Sequence, residues 1–521
     1  MLTIISYLIY CLGTMASTNQ KIGSLIYKLR QERGLTQAAF ARQLNTSQSA
    51  VNRIEHGNQN LSLETLARIS DVLNKPIIQI GQSGINLQIE GGHELKGEIT
   101  LKTSKNSAVA LLCASLLNKG VTRFKAFPRI EEVNRIIEVL ESIGLRIKWL
   151  ANNDLEIRQP KELKLKNINV ESAKATRSVL MLMGSLMHDY KSFDIPYAGG
   201  CKLGERTVEP HLLALQNFGV SVNARNKHYE VKVNRKSAED NVVLYEAGNT
   251  VTNNALMAAA RTKGVTVIQG ASADYMVQDL CLFLTKLGVK ISGIGSPTLR
   301  VEGVRHIKKN ITFAPTEDPI EAMFFISAAV TTDSSITIKR VPIDWIALEL
   351  FKLKMMGLKY KTTEKYKANN NVVDLVDLTI LKHKGQLNAP TVKLHPNLWP
   401  GINPDNIPYF VPIAVIAKGQ TLIHDWMFEN RAIYYTELTK IGANIELMDP
   451  HRIYIKGPAK FTNADVVCPP ALRPASLLLI GMMAANGTSI LRNVYTINRG
   501  YEDIAERLNS IGAKIQVLND F

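Results

Sequence analysis

The chain has 521 residues, more than one hydrophobic core can absorb, so two or three domains are expected. Hydrophobic residues make up 45% and charged residues 21%, a composition of ordinary globular proteins that excludes a disordered chain. The formal net charge of +16 implies anionic partners: nucleic acid, a phosphorylated metabolite or a membrane surface.

Residues 1–15, MLTIISYLIYCLGTM, are apolar but lack the basic start and small-residue cleavage site of a signal peptide. They are also too short for a comfortable membrane span, and are expected to be a dispensable tail or to precede a true start at Met15. Within an expected domain of 16–80, residues 21–80 read as short amphipathic helices, with Thr36, Ser47 and Ser62 as N-caps and Gly34 and Gly57 closing two of them. The stretch RGLTQAAFARQLNTSQSAVNRIEHG resembles the helix-turn-helix of the Cro and lambda-repressor class. That resemblance makes Ser47 to His56 the recognition helix, with Gln48, Ser49 and Asn52 toward the major groove of DNA and Arg53 near the phosphates. Eight Lys or Arg against four Asp or Glu over residues 16–85 support DNA binding only modestly. A helical module that binds a protein partner is the alternative.

After a short linker, 81–86, an amphipathic helix ending in apolar-Gly-apolar and followed by a strand recurs six times, at Gly144, Gly219, Gly288, Gly357, Gly442 and Gly512. Each glycine is of the kind that ends a helix in the left-handed conformation. Before each unit runs a helix rich in small and apolar residues, such as FFISAAVTTDSSITIKRV, apolar nearly all round and therefore expected to be buried. Six units of about 70 residues split naturally into two similar halves with a ligand cleft between them.

The loop YAGGCKLGERTVEPH sets Cys201 among Gly199, Gly200 and Gly204 and beside Lys202 and Arg206, where positive charge favours thiolate over thiol. The other cysteines, Cys11, Cys113, Cys281 and Cys468, are widely spaced, with no CxxC pair or histidine cluster. No disulfide framework or metal site is indicated, and a reducing cytoplasm fits best.

Six such units, KN at 105–106, Arg177, GGCxxGxR at 199–206, the Asp of PDN at 405, FENR at 428–431, LRPAS at 472–476 and NRGYE at 498–502 together resemble the enolpyruvyl transferases that act on UDP-N-acetylglucosamine. The resemblance runs from about Ile85 to the C-terminus. It implies an α/β fold of two inside-out α/β barrel halves, 87–104 plus 314–521 and 105–313, preceded by the helix-turn-helix domain. It implies transfer of the enolpyruvyl group of phosphoenolpyruvate to the sugar 3-hydroxyl, with phosphate released and no metal or cofactor.

Phosphoenolpyruvate carries a carboxylate and a phosphate close together, and arginine forks suit both. On the resemblance, Lys105, Arg206 and Arg499 surround the phosphate, Arg431 and Arg473 the carboxylate, and Arg177 the sugar-nucleotide side. Cys201 is the general acid, Asp405 accepts or orients the hydroxyl proton, and Asn106 binds the sugar hydroxyls. Phe428, Gly248 and Thr250 complete the substrate contacts, and His211 lies near the nucleotide. By residue type alone, Asp405 in NPDN also reads as an ordinary turn aspartate.

The nucleotide side departs from the family: Thr207, Glu209, Leu244 and Glu246 stand where other residues are usual, Asp274 replaces a glutamate and Ala471 an aspartate. A DNA-binding regulator whose transferase-like part senses a sugar nucleotide or phosphoenolpyruvate is the rival reading. Retention of Cys201, Asp405 and six cations favours the enzyme, because a sensor needs no proton donor. No membrane partner is expected.

Overall fold

The computed structural model describes residues 18–32, 35–59, 61–73, 85–199, 207–234 and 241–519. The expectations for the tail 1–15, Gly34, Cys201 and Arg206 fall outside these residues, as does most of the linker. The chain divides into two compact units, one reaching Ile85 and the other spanning Asn86–Leu518.

The front unit contains helices Thr18–Glu32, Gln37–Gln43, Gln48–Glu55 and Leu63–Leu73. Their starts follow side-chain chemistry. Thr36 Oγ1 accepts from Ala39 N at 3.1 Å, Ser47 Oγ from Ala50 N and Ser62 Oγ from Thr65 N, both at 3.2 Å. Ile26, Phe40, Val51, Ile54 and Ile69 form the core. The first helix comes so near the third that a Cβ on Gly23 would sit 2.3 Å from Ile54 O, which is why glycine is needed there. Arg30 reaches across this core: its Nε lies 2.5 Å and its Nη2 3.1 Å from the two Glu55 carboxylate oxygens, and both side chains are buried.

In the larger unit the six apolar helices are central, and their burial follows from their all-round apolar surfaces. They include Lys105–Ala114, Leu182–Leu186, Asn249–Ala260, Pro319–Thr331, Phe410–Ile416 and Leu472–Ala484; all residues of Pro319–Thr331 are buried. Sheets and the more amphipathic helices pack outside them. All six repeat glycines adopt positive φ, between 74° and 107°. The helix before Gly442, Ala432–Ile441, is a 3₁₀-helix where the repeat predicts an ordinary amphipathic one. Its first turns are anchored by Arg431 and Tyr435, both bonded to Asp425.

Among the described residues, three sheets are built wholly from strands within 121–313, and three from strands within 85–100 and 335–519. The strand Ile85–Gly91 runs antiparallel to Gly487–Arg492, with Leu87 opposite Leu491, and so completes the last repeat. Two crossover segments join the halves and pair with each other. Thr103 bridges Glu317, Ser104 N donates to Thr316 O at 2.8 Å, and Asp318 N to Lys102 O at 2.9 Å. Among the described residues no helix is long and apolar enough to cross a membrane.

Removing one partner of a buried ion pair leaves an uncompensated charge, at a cost of about 3 kcal/mol. Glu55→Ala is therefore expected to raise amide exchange in Val51–Glu55 by about two orders of magnitude. Unchanged exchange there, read by mass spectrometry on the full chain, would contradict the pairing.

Candidate active site

Several central helices begin at candidate site residues. Lys105 opens Lys105–Ala114 behind the cap Ser104, Arg473 is the second residue of Leu472–Ala484, Thr250 the second of Asn249–Ala260, and Asp318 caps Pro319–Thr331. Helix N-termini present unpaired N–H groups and positive potential, which suits an anionic substrate. Ala471, where the resemblance expects an aspartate, caps its helix without a side-chain bond.

Asp405 lies between two arginines. Arg431 Nη1 is 3.4 Å from Asp405 Oδ1, and Arg473 Nη2 is 3.3 Å from Asp405 Oδ2. Arg431 is fully buried and held by a two-pronged ion pair to Asp425 (2.6 and 2.8 Å), by Pro404 O at 2.6 Å and by the face of Phe428 at 4.0 Å. Burial opposes its charge, but Tyr435 and Asp425 outweigh that and raise its pKa. Arg473 Nη1 donates to Tyr501 Oη at 2.9 Å and reaches Tyr409 Oη at 3.4 Å, and the two phenols bond to each other.

The turn itself is made by Asn403, whose Oδ1 accepts from Asp405 N at 2.9 Å. Turn chemistry is thus present in NPDN, but the asparagine supplies it and leaves the Asp405 carboxylate to the arginines.

A second cluster joins Lys105 and Arg499 through Glu132, on the first turn of the helix Glu131–Ser142. Arg499 Nη2 is 3.1 Å and Lys105 Nζ 4.0 Å from Glu132 Oε2, while Thr176 Oγ1 donates to Oε1 at 2.8 Å. Burial would raise the Glu132 pKa, yet the two cations more than offset it and hold the carboxyl below its usual range. Asn106 follows Lys105, half-buried, in the first turn of its helix.

Among the residues expected on the sugar-nucleotide side, Arg177 Nη2 donates to Thr207 O at 2.7 Å. His211 is buried between Thr250 Oγ1 at 3.3 Å and Asn254 Nδ2 at 3.2 Å; burial, helped by Arg177, pushes its pKa down to about 4. It is a neutral ring with structural partners. Gly248 caps Asn249–Ala260, Leu244 is buried, and Glu246 is exposed with its carboxylate close enough to Gly248 that an added Cβ would lie 2.9 Å away. A carboxylate there opposes a diphosphate unless it swings aside.

Cys113, Cys281 and Cys468 are buried, and burial pushes each thiol up to about 12. They are poor nucleophiles.

Glu132, Asp425, Tyr409, Tyr501 and Asn403 escape sequence reasoning, since each is an ordinary residue far in the chain from at least one group it touches. The NRGYE motif, which places Tyr501 two residues beyond Arg499, carries the one available hint.

Comparison with known proteins agrees with this fold. The solved enolpyruvyl transferase NikO from Streptomyces tendae superposes with a TM-score of 0.72 over 84% of this chain and 100% of that one, at 21% identity. EPSP synthase from Acinetobacter baumannii gives 0.64 over 83% and 100%, at 18% identity. The architecture is therefore the two-barrel α/β fold of these transferases. In sequence, residues 89–508 match the family described as EPSP synthase (3-phosphoshikimate 1-carboxyvinyltransferase), and residues 26–80 match a helix-turn-helix family. UDP-N-acetylglucosamine 1-carboxyvinyltransferase of Porphyromonas gingivalis is 33% identical over 82% of this chain and 99% of its own length, and that of Treponema pallidum 31% identical over 82% and 98%. The chain belongs to the enolpyruvyl transferase family, with a helix-turn-helix domain at its front.

Three buried aspartates flank the site. Burial, with Asp405 adding to it, pushes Asp274 up to about 7; burial pushes Asp279 to about 6, and Asp318 to about 6 against the pull of Arg473. An acid with a raised folded pKa keeps its proton in the native state while the unfolded chain, near 3.8, has lost it. Stability from these groups is therefore fully present at low pH and falls as pH rises from about 4 to about 7. Asp318→Asn, which retains a capping oxygen, is expected to melt above the parent protein at pH 8 and level with it at pH 4. Equal melting temperatures at pH 8 would show that Asp318 ionises without cost.

Proposed function

We propose that the protein transfers the enolpyruvyl group of phosphoenolpyruvate to the 3-hydroxyl of UDP-N-acetylglucosamine and releases phosphate, the first committed step of peptidoglycan synthesis in the cytoplasm. The observation that carries this reading is the single carboxylate, Asp405, set between Arg431 and Arg473. In the reaction, Asp405 accepts or orients the 3-hydroxyl proton as that oxygen bonds to C2 of phosphoenolpyruvate, and Cys201 donates a proton to the C3 methylene. The adduct then loses a methyl proton and its phosphate, restoring the double bond.

Arg431 and Arg473 serve the substrate carboxylate, and Lys105, Arg206 and Arg499 the phosphate. Fixed cations beside developing charge supply most of the rate. Arg177, Asn106, Phe428, Gly248 and Thr250 hold the acceptor. The names of the sugar-nucleotide relatives support this acceptor, while Leu244 and Glu246 alter the diphosphate contacts.

Asp405→Ala should lower kcat for phosphate release by about 10²- to 10⁴-fold. Full activity in that variant would remove Asp405 from the proton path. Fosfomycin, an epoxide that alkylates the loop cysteine of this family, should label Cys201 and leave Cys113, Cys281 and Cys468 untouched; peptide mapping with Cys201 unmodified would count against a reactive thiol.

For the front domain we propose DNA binding. Gln48, Ser49, Asn52 and Arg53 form the exposed side of the helix Gln48–Glu55, opposite buried Ala50, Val51, Ile54 and Glu55. Affinity should fall steeply with salt, and Arg53→Ala should reduce the slope of log affinity against log salt by about one. No binding to genomic DNA fragments even at low salt would favour a protein partner instead.

A further inference from the structure

The turn that carries Asp405 is held from two sides by carboxylates with no substrate role in the reading above. From its own half, buried Glu349 Oε1 accepts from Asn403 N at 3.2 Å and from Asn406 Nδ2 at 2.8 Å. From the other half comes Asp274, also buried, whose Oδ2 accepts from Asn403 Nδ2 at 3.3 Å. Asp274 is itself fixed: its Oδ1 accepts from Met276 N at 3.4 Å at the start of the helix Tyr275–Leu287, and its amide donates to Ser272 Oγ at 3.2 Å. Ser272 Oγ in turn donates to Asn249 Oδ1, next to Gly248.

Asn403 therefore uses its amide oxygen to form the turn and its amide nitrogen to join the halves. We infer that Asp274 and Asn403 form a latch between the halves that positions the Asp405 carboxylate for proton transfer. Asp274 is a positioning residue that acts through Asn403. The latch forms only when the halves meet, so it couples their approach to the placement of the base. Positioning matters on this scale, because a shift of about 1 Å in a reacting group costs up to about 10²-fold in rate. The burial and like charge that raise the Asp274 pKa agree with its closeness to Asp405. The kinetic part of the inference rests on the proposed role of Asp405; the contact does not.

The test exchanges donor and acceptor. Assayed above about pH 8, where Asp274 is ionised, Asn403→Asp keeps the oxygen that forms the turn but sets two carboxylates face to face, and Asp274→Asn keeps a capping oxygen but sets two amides face to face. The double exchange restores one donor opposite one acceptor. Each single variant should lower kcat for phosphate release about tenfold or more, with KM for phosphoenolpyruvate little changed, and the double variant should return to within about threefold of the parent. Amide exchange over 402–406 should rise in both single variants and recover in the double.

A structural role confined to capping the helix Tyr275–Leu287 would show no recovery. Single variants with parental kcat and exchange, or a double variant at the product of the single losses, would overturn the latch. If the parent protein released no phosphate from phosphoenolpyruvate and UDP-N-acetylglucosamine, the proposed reaction would fail, while the exchange pattern would still decide the latch.

Discussion

Two guanidinium groups share one carboxylate in the larger unit, and the surrounding structure answers to that arrangement. Arg431 has no exposed side-chain surface, and a charge so placed is tolerated only when paired and fully hydrogen-bonded. Asp425 supplies the pairing, Tyr435 supports Asp425, and the 3₁₀-helix that follows starts from this anchor. Arg473 has a different environment. It meets Asp405 and two phenols, and Asp318 lies within its electrostatic reach. One arginine is held by a second carboxylate and the other by phenols, and both touch the same aspartate.

The inside-out arrangement explains how such groups are delivered. With apolar helices at the centre, the polar business of each repeat moves to helix ends, and Lys105, Thr250, Asp318 and Arg473 all occupy first turns or caps. Their backbones add positive potential without adding titratable groups. Glu132 complements them by balancing Lys105 and Arg499 and fixing their separation.

The architecture was legible in the chain because it repeats. Six glycines followed by strands mark helix ends whose left-handed backbone few other residues adopt easily, and the structure places all six at positive φ. The apolar helices announced their burial by having no polar face. The cations were legible only through a family pattern, since a single arginine in sequence says nothing of its neighbours. Partners such as Glu132 and Tyr409 were not, because contacts between residues far apart in the chain leave no local period or spacing. Asn403 shows the limit most clearly: NPDN reads correctly as a turn, but nothing in four letters says which of its side chains turns back and which faces the arginines.

The paired crossovers at Thr103 and Glu317 have a consequence for how this protein can be altered. The intervening stretch leaves and re-enters its host through adjacent doorways, so its two ends are neighbours in space. A segment with that geometry is a natural cassette: it can be exchanged for the matching piece of a relative by cutting at two neighbouring joints, without rethreading the remainder.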